Sequence, residues 1–110
     1  PEEIIEKLLI CNEKFPRGVN ELEMANLTEE KAKEVAPPRI KECFGWIECK
    51  LREEKECGDH VLLIGKVVKA EVKDNFLDEN ELPDVKKTKL PLHISGRNFA
   101  VAERIVKIED

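Results

Sequence analysis

The sequence contains no glycine-rich run. Its five glycines, Gly18, Gly45, Gly58, Gly65 and Gly96, stand singly, so neither the P-loop nor the dinucleotide-binding turn is present, since both need clustered glycines to bring backbone amides onto phosphate. The four cysteines, Cys11, Cys43, Cys49 and Cys57, lack the C-x-x-C pairing of zinc knuckles and dithiol redox motifs, which leaves buried free thiols as the expectation and no metal site. No apolar run approaches the roughly 20 residues a membrane-spanning helix needs, and no charged-then-apolar leader opens the chain. A cytoplasmic protein without a membrane partner is expected. Positive charge is also in deficit: 19 Lys and Arg against 24 Asp and Glu leave a formal net charge of -5. With no basic stretch interleaved with aromatics, nucleic-acid binding, which rests on neutralising phosphates, is not expected. Two histidines offer no spacing that would build a Ser/His/Asp or Cys/His nucleophile. The chain opens on Pro1 without an initiator Met, as a fragment of a longer protein would.

What is present fits one domain spanning residues 1–110, long enough for one modest core. Asp, Glu, Lys and Arg make up 39% of the chain and are interspersed rather than blocked, a pattern shared with heat-stable surfaces, so a thermophilic source is expected. Pro1 suits a first helical position, Glu2 and Glu3 suit the positive end of the helix dipole, and Ile4, Ile5, Leu8 and Leu9 form an apolar stripe, predicting an amphipathic helix over 2–12. Phe15-Pro16-Arg17-Gly18 reads as a loop. Asn20 with Glu23 three residues on resembles a capping box and starts a short helix to about Ala25. Thr28-Glu29-Glu30-Lys31 suggests one more helical turn, and Pro37-Pro38 forces extended backbone.

From there the period becomes two. Residues 43–53 alternate as a strand, residues 54–59 form a polar connection, and a second strand from His60 returns antiparallel. Counting by twos puts His60 on the face of Leu62, Ile64, Val68, Ala70 and Val72, pointing toward an apolar interior, with the Lys69 and Glu71 end in water. Histidine is the side chain whose charge changes most readily near neutral pH. At a strand start it serves either as a core cap bonding a turn carbonyl or as a partly desolvated group that meets a ligand. Gly65 in mid-strand marks a bulge or a close backbone approach. Glu48 reads as the cross-strand partner of a lysine. Residues 74–89 form a charged connection whose lysine run, Lys86-Lys87-Thr88-Lys89, reads as solvated. Leu90–Ile94, a Ser95-Gly96-Arg97-Asn98 turn and Phe99–Ala102 close the chain as a hairpin, which Ile105, Val106 and Ile108 would extend. Helices first and a curled antiparallel sheet second give a mostly β, α+β domain.

Several of these segments, taken in order, resemble the flavin reductase-like family, the FMN-binding split-barrel group that includes flavoredoxins and archaeal ferric reductases. They are Pro38-Arg39-Ile40-Lys41-Glu42-Cys43, Trp46-Ile47-Glu48-Cys49-Lys50-Leu51, Gly58-Asp59-His60 and Gly65-Lys66-Val67-Val68. Phe15–Glu23 is similar to the family's loop and helix ahead of them, and Pro91-Leu92-His93 with Gly96-Arg97-Asn98-Phe99 to its terminal hairpin. The resemblance implies an antiparallel split β-barrel. It also implies that the stretch carrying the first barrel strands and the Ser/Thr-rich FMN phosphate loops has no counterpart here, so the chain corresponds to the C-terminal half.

By the same resemblance the protein binds FMN, or FAD, and takes electrons from NAD(P)H to free flavin, ferric complexes or a partner protein, as a homodimer with flavin near the interface. His60 is then the group beside the flavin ring or nicotinamide, with Asp59 orienting it. His93, Arg97 and Asn98 in the last hairpin, and Arg17 and Asn20 in the earlier loop, are further cofactor contacts. Trp46 and Phe44 have faces that suit a flat ligand, but their strand parity favours core or dimer interface. Two other readings stand beside this one: a non-enzymatic FMN-binding electron carrier, and a small β-barrel interaction domain without cofactor.

Overall fold

The computed structural model describes residues 2–11, 13 and 15–109. The parts assigned above to Pro1 and Asn12 lie outside them. A 3₁₀ turn, Glu2–Ile4, leads into α1, Ile5–Cys11. A second short helix, α2, Glu21–Met24, starts where Asn20 caps it, its side-chain oxygen accepting from the Leu22 N–H at 3.0 Å. The Asn20 amide also donates to Glu29 at 2.6 Å, so the box expected with Glu23 is replaced by a bond to the next segment. Ile4, Ala25 and Leu27 are buried together, with Leu8, Leu22, Ile40 and Cys43 packed against them.

The helical turn expected at Thr28–Lys31 is instead a strand. β1, Glu29–Glu30, pairs antiparallel with β2, Arg39–Ile40. Two residues of pairing win over a single uncapped helical turn because the Glu30 carboxylate meets Arg39 across the pair at 2.7 Å.

The dominant element is a ribbon of two 13-residue strands, β3, Gly45–Cys57, and β4, His60–Val72. Only Gly58 and Asp59 form the turn, so residues 54–57, expected as a polar loop, are strand. Gly58 at φ +65° supplies the backbone that a two-residue hairpin loop requires. The register carries two bulges. Val68 is unpaired between Glu48↔Lys69 and Cys49↔Val67, and Arg52 between Leu51↔Gly65 and Glu53↔Ile64.

Each bulge reverses the side-chain alternation beyond it. His60 therefore shares a face with Leu62, Ile64, Glu48, Trp46 and Glu71, whereas Ala70 and Val72 fall on the other face with Val61, Leu63, Val67, Leu51 and Ile47. Coverage is also the reverse of the sequence expectation. The Glu71 end lies against the body of the molecule, and the turn end projects: the His60 side chain is 81% exposed. Gly65 is the close approach its position suggested, since a Cβ there would lie 3.0 Å from the Cys49 Cβ.

After the ribbon come a 3₁₀ turn at Asp74–Phe76 and α3, Val85–Thr88, capped by Asp84 accepting from the Lys86 N–H at 3.0 Å. The lysine run is thus partly helical, with Thr88 buried within it. A last hairpin pairs β5, Pro91–Ser95, with β6, Asn98–Val101. Ile105, Val106 and Ile108 do not extend β6 and are exposed. The mostly β class stands. Among the described residues, however, the sheets are three separate antiparallel pairs and no barrel closes. The same openness explains the thiols: all four cysteines are free, but Cys49 and Cys57 on the ribbon are exposed rather than buried. Cys43, packed against the small core, is the thiol whose pKa burial pushes up.

Candidate functional site

At the ribbon tip, Gly58 sets a turn tight enough that Asp59 and His60 adjoin. The Asp59 carboxylate meets the His60 Nδ1 at 2.5 Å, and both side chains are solvent-exposed. With Nδ1–H directed to the carboxylate, Nε2 is the ring atom left to accept a proton or donate one. Cys57 lies directly across the ribbon from His60.

The other sequence-selected groups lie outside the ribbon. In the β5–β6 hairpin the His93 ring stacks on Phe99, with centroids 4.8 Å apart and planes 23° apart, and its Nε2 meets the Gly96 carbonyl at 2.9 Å. That pair and Leu8 and Leu9 of α1 line a cavity of about 250 Å³, at the low edge of the 300–1,000 Å³ usual for ligand sites. Arg97 in the turn and Asn98 at the start of β6 are exposed. Asn20 is committed to capping α2 and bonding Glu29, while Arg17 is exposed in its loop. His93, Arg97 and Asn98 thus share the last hairpin, while Asp59 and His60 stand at the turn of the ribbon. Twelve residue steps along the ribbon, at 3.3–3.4 Å each, span about 40 Å.

Sequence reading missed the most connected group of charges. The Arg39 side chain, 10% exposed, bonds Glu30 at 2.7 Å, Glu71 at 3.1 Å and Glu48 at 3.4 Å, and lies 4.0 Å over the Trp46 ring. Burial works against its charge, and the bonds to Glu30 and Glu71 outweigh burial, so its pKa is raised. Glu48 faces Lys69 in register, but its carboxylate turns to the 31–38 loop instead, accepting from the Glu34 N–H at 2.7 Å and the Lys33 N–H at 3.1 Å. Those two amide bonds hold its pKa below the usual carboxylate value, with Arg39 adding to the effect. Glu71 is lowered by Lys33 and Arg39.

Trp46 donates its indole N–H to the Ile40 carbonyl at 2.7 Å. With Arg39 over one face, the half-buried ring is a packing element, and Phe44 packs on Phe76 with centroids 5.8 Å apart. A second cavity of about 280 Å³ lies between the Pro37-Pro38 segment and β3. The signal for this cluster was an arginine directly after Pro37-Pro38 and two glutamates on one ribbon face, but the face assignment needed the bulges. Among the described residues no group of three or more metal-ligating side chains converges, and no helix is long and apolar enough to cross a membrane.

Comparison with known proteins places these features. The family profile described as "Flavin reductase like domain" matches residues 1–101. A protein of Aquifex aeolicus (strain VF5) is 46% identical over 79 residues, covering 72% of this chain and 40% of that protein. One of Methanothermobacter thermautotrophicus is 33% identical over 115 residues, covering 97% of this chain and 54% of its own length. Among solved structures, nitrilotriacetate monooxygenase component B from Bacillus cereus superposes with a TM-score of 0.87 at 22% identity, over 97% of this chain and 55% of that one. The chain thus spans about half the length of the curated relatives it matches.

Proposed function

The chain belongs to the flavin reductase-like family, and from that premise we propose that residues 1–110 are the C-terminal part of one flavin-binding domain in a cytoplasmic oxidoreductase. Electrons pass from NADH or NADPH, through non-covalently bound FMN or FAD, to free flavin, a ferric complex or a partner protein. The working form is a homodimer. The observation that carries this reading is the family match across nearly the whole chain, with the His93–Phe99 ring pair inside it.

The residues present fit one part of a flavin. A flat ring system suits the open edge of the His93–Phe99 stack and the apolar floor of Leu8 and Leu9. Arg97 supplies a cation and Asn98 an amide for polar edges. No glycine-rich run supplies a backbone-amide cradle for phosphate, and we assign that contact to the rest of the full-length protein. Bound flavin supplies the hydride and electron chemistry. His60 holds or gives a proton at Nε2, and Asp59 fixes the ring by accepting from Nδ1–H. The relatives from heat-loving organisms and the interspersed charge support a thermophilic source, for which a melting midpoint above the mesophile range of about 45–65 °C is expected.

Colour tests the reading. The purified full-length protein should show a flavin absorption spectrum that NADH or NADPH bleaches. A spectrum that neither nucleotide bleaches would favour the electron carrier, and a colourless protein that takes up no FMN would exclude both flavin readings. His60→Ala should slow flavin reduction at least about tenfold, or 1.4 kcal/mol of barrier, with little change in melting midpoint. An unchanged rate would remove His60 from the site.

A further inference from the structure

We propose that the backbone amides of Lys33, Glu34 and Val35, together with Arg39, form an anion-binding nest that takes a carboxylate. Glu48 is its built-in occupant, and filling the nest closes residues 31–38 over β3 as a strap. Pro37 and Pro38 have no N–H to give, and among the described residues no backbone group of 31–38 bonds the backbone of another element. Side chains therefore fasten the strap. Ala32 buries one small apolar group, and the Lys33 ammonium meets Glu71 at 2.7 Å with its side chain 52% exposed, a pair that solvent screens. The Glu48 side chain is 4% exposed, so its bonds to the strap form where water does not compete.

The donors converge on both carboxylate oxygens. Glu48 Oε1 accepts from the Glu34 N–H at 2.7 Å and the Lys33 N–H at 3.1 Å, and Oε2 accepts from the Lys33 N–H at 3.1 Å and Arg39 Nη1 at 3.4 Å. Consecutive amides aimed at one anion make a nest, and the Val35 amide adds to the pull that holds the Glu48 pKa low. The arginine does not depend on Glu48 for its place, since Glu30 at 2.7 Å, Glu71 at 3.1 Å and the Trp46 ring at 4.0 Å fix it separately. Charge leaves room for an anion from outside. Lys33 and Arg39 stand among Glu30, Glu48 and Glu71; without Glu48, two cations balance two carboxylates and the amide dipoles remain. Ala32, Val35, Pro37 and Pro38 form the strap's side of the cavity of about 280 Å³ against β3, so the state of the nest decides whether that wall stands.

Chemical rescue tests the nest. Glu48→Ala removes a methylene and its carboxylate, which is the bulk and charge of acetate, so acetate is the probe. In full-length Glu48→Ala protein, amide hydrogen exchange read by mass spectrometry should speed at least about tenfold in peptides covering 31–38, because bonds to a charged acceptor are lost. Peptides from the ribbon, residues 45–72, should keep their wild-type rates. Acetate at neutral pH should restore protection to 31–38 saturably, and chloride at equal ionic strength should not. Failure of acetate to restore protection overturns the nest, and ribbon peptides that speed up together with 31–38 overturn the strap as a separate unit.

Glu48→Gln controls for a general effect of the salt. Its carboxamide keeps the place filled without the charge, so 31–38 should exchange faster than in wild type and acetate should leave that rate unchanged. Acetate that protects Glu48→Gln as well as Glu48→Ala would overturn the proposal. Should Glu48→Ala fail to fold without additive, refolding in acetate and in chloride decides: recovery in acetate alone supports the nest, and failure in both overturns it. Exchange needs no flavin, so a protein that binds none would remove the proposed function and leave the nest to be decided by these measurements.

Discussion

Gly65 pairs with Leu51 beside a bulge, where the two strands crowd. A methyl group at this position would meet the Cys49 Cβ at 3.0 Å and its sulfur at 3.7 Å. Gly65→Ala should therefore destabilise the protein by about 1–3 kcal/mol, as overpacking does. Because the nearest atom is a Cβ, Cys49→Ala should not relieve the clash: a double variant as stable as Cys49→Ala alone, by denaturant midpoint, would show that the contact is not the cause. The glycine itself was legible, since a lone Gly within a β-branched run signals a bulge or a close approach. Its neighbour was not, because that depends on the register. The same holds for His60. Its place at a strand start could be read from Gly58-Asp59-His60, but its burial was inferred by counting through Val68, which the bulge removes from the alternation.

At the scale of elements, the 31–38 loop is held to the ribbon by Glu48, with Arg39 and Lys33 tying Glu71 to the same cluster. Glu48 and Glu71 have folded pKa values below the ordinary carboxylate value of 4.5. A carboxylate so lowered stabilises the fold fully above its unfolded value and loses that contribution as pH falls through the folded one. Acid should therefore release the loop below about pH 4.5. Trp46 is the single tryptophan and lies beneath Arg39, so its emission should move to the red over that range. Glu48→Gln leaves one carboxamide oxygen for two amide donors. It should show the red-shifted emission already at neutral pH and lower the melting midpoint by more than about 4 °C. Emission like wild type at pH 7 would mean that the clamp does not hold the loop.

Glu42 follows the same rule on a smaller segment. It accepts from the Thr28 N–H at 2.8 Å and 2.9 Å through its two oxygens, and those bonds lower its pKa. Neither clamp was readable in advance, since each joins a side chain to backbone amides 14 or 15 residues away through a loop whose path the sequence pattern does not encode.

For the whole molecule, the radius of gyration is 16.3 Å, against about 13 Å for a compact chain of this length. Among the described residues the buried apolar set is Ile4, Ala25, Leu27 and Ala32, and no large side chain is fully buried. Among the described residues no further strand pairs with either outer edge of the ribbon, and such a two-stranded ribbon is marginal alone in water and open to further pairing. Residues 1–110 produced by themselves should therefore associate, with a thermal midpoint that rises with protein concentration. A midpoint constant over a hundredfold range of concentration, with a monomeric mass by light scattering, would show that the ribbon does not need covering.

The first helix and the cap at Asn20, the glycine at the Gly58 turn, the two long strands and the last hairpin follow from local chemistry, so the sequence by itself determined them, along with the family to which their order belongs. Side-chain facing beyond each bulge, the Arg39–Glu48–Glu71 cluster and the exposure of the His60 end were decided only in the tertiary structure. The physical reason is that a bulge adds one residue to one strand and so inverts the alternation beyond it. Burial, in turn, depends on which distant surface comes to lie against each face.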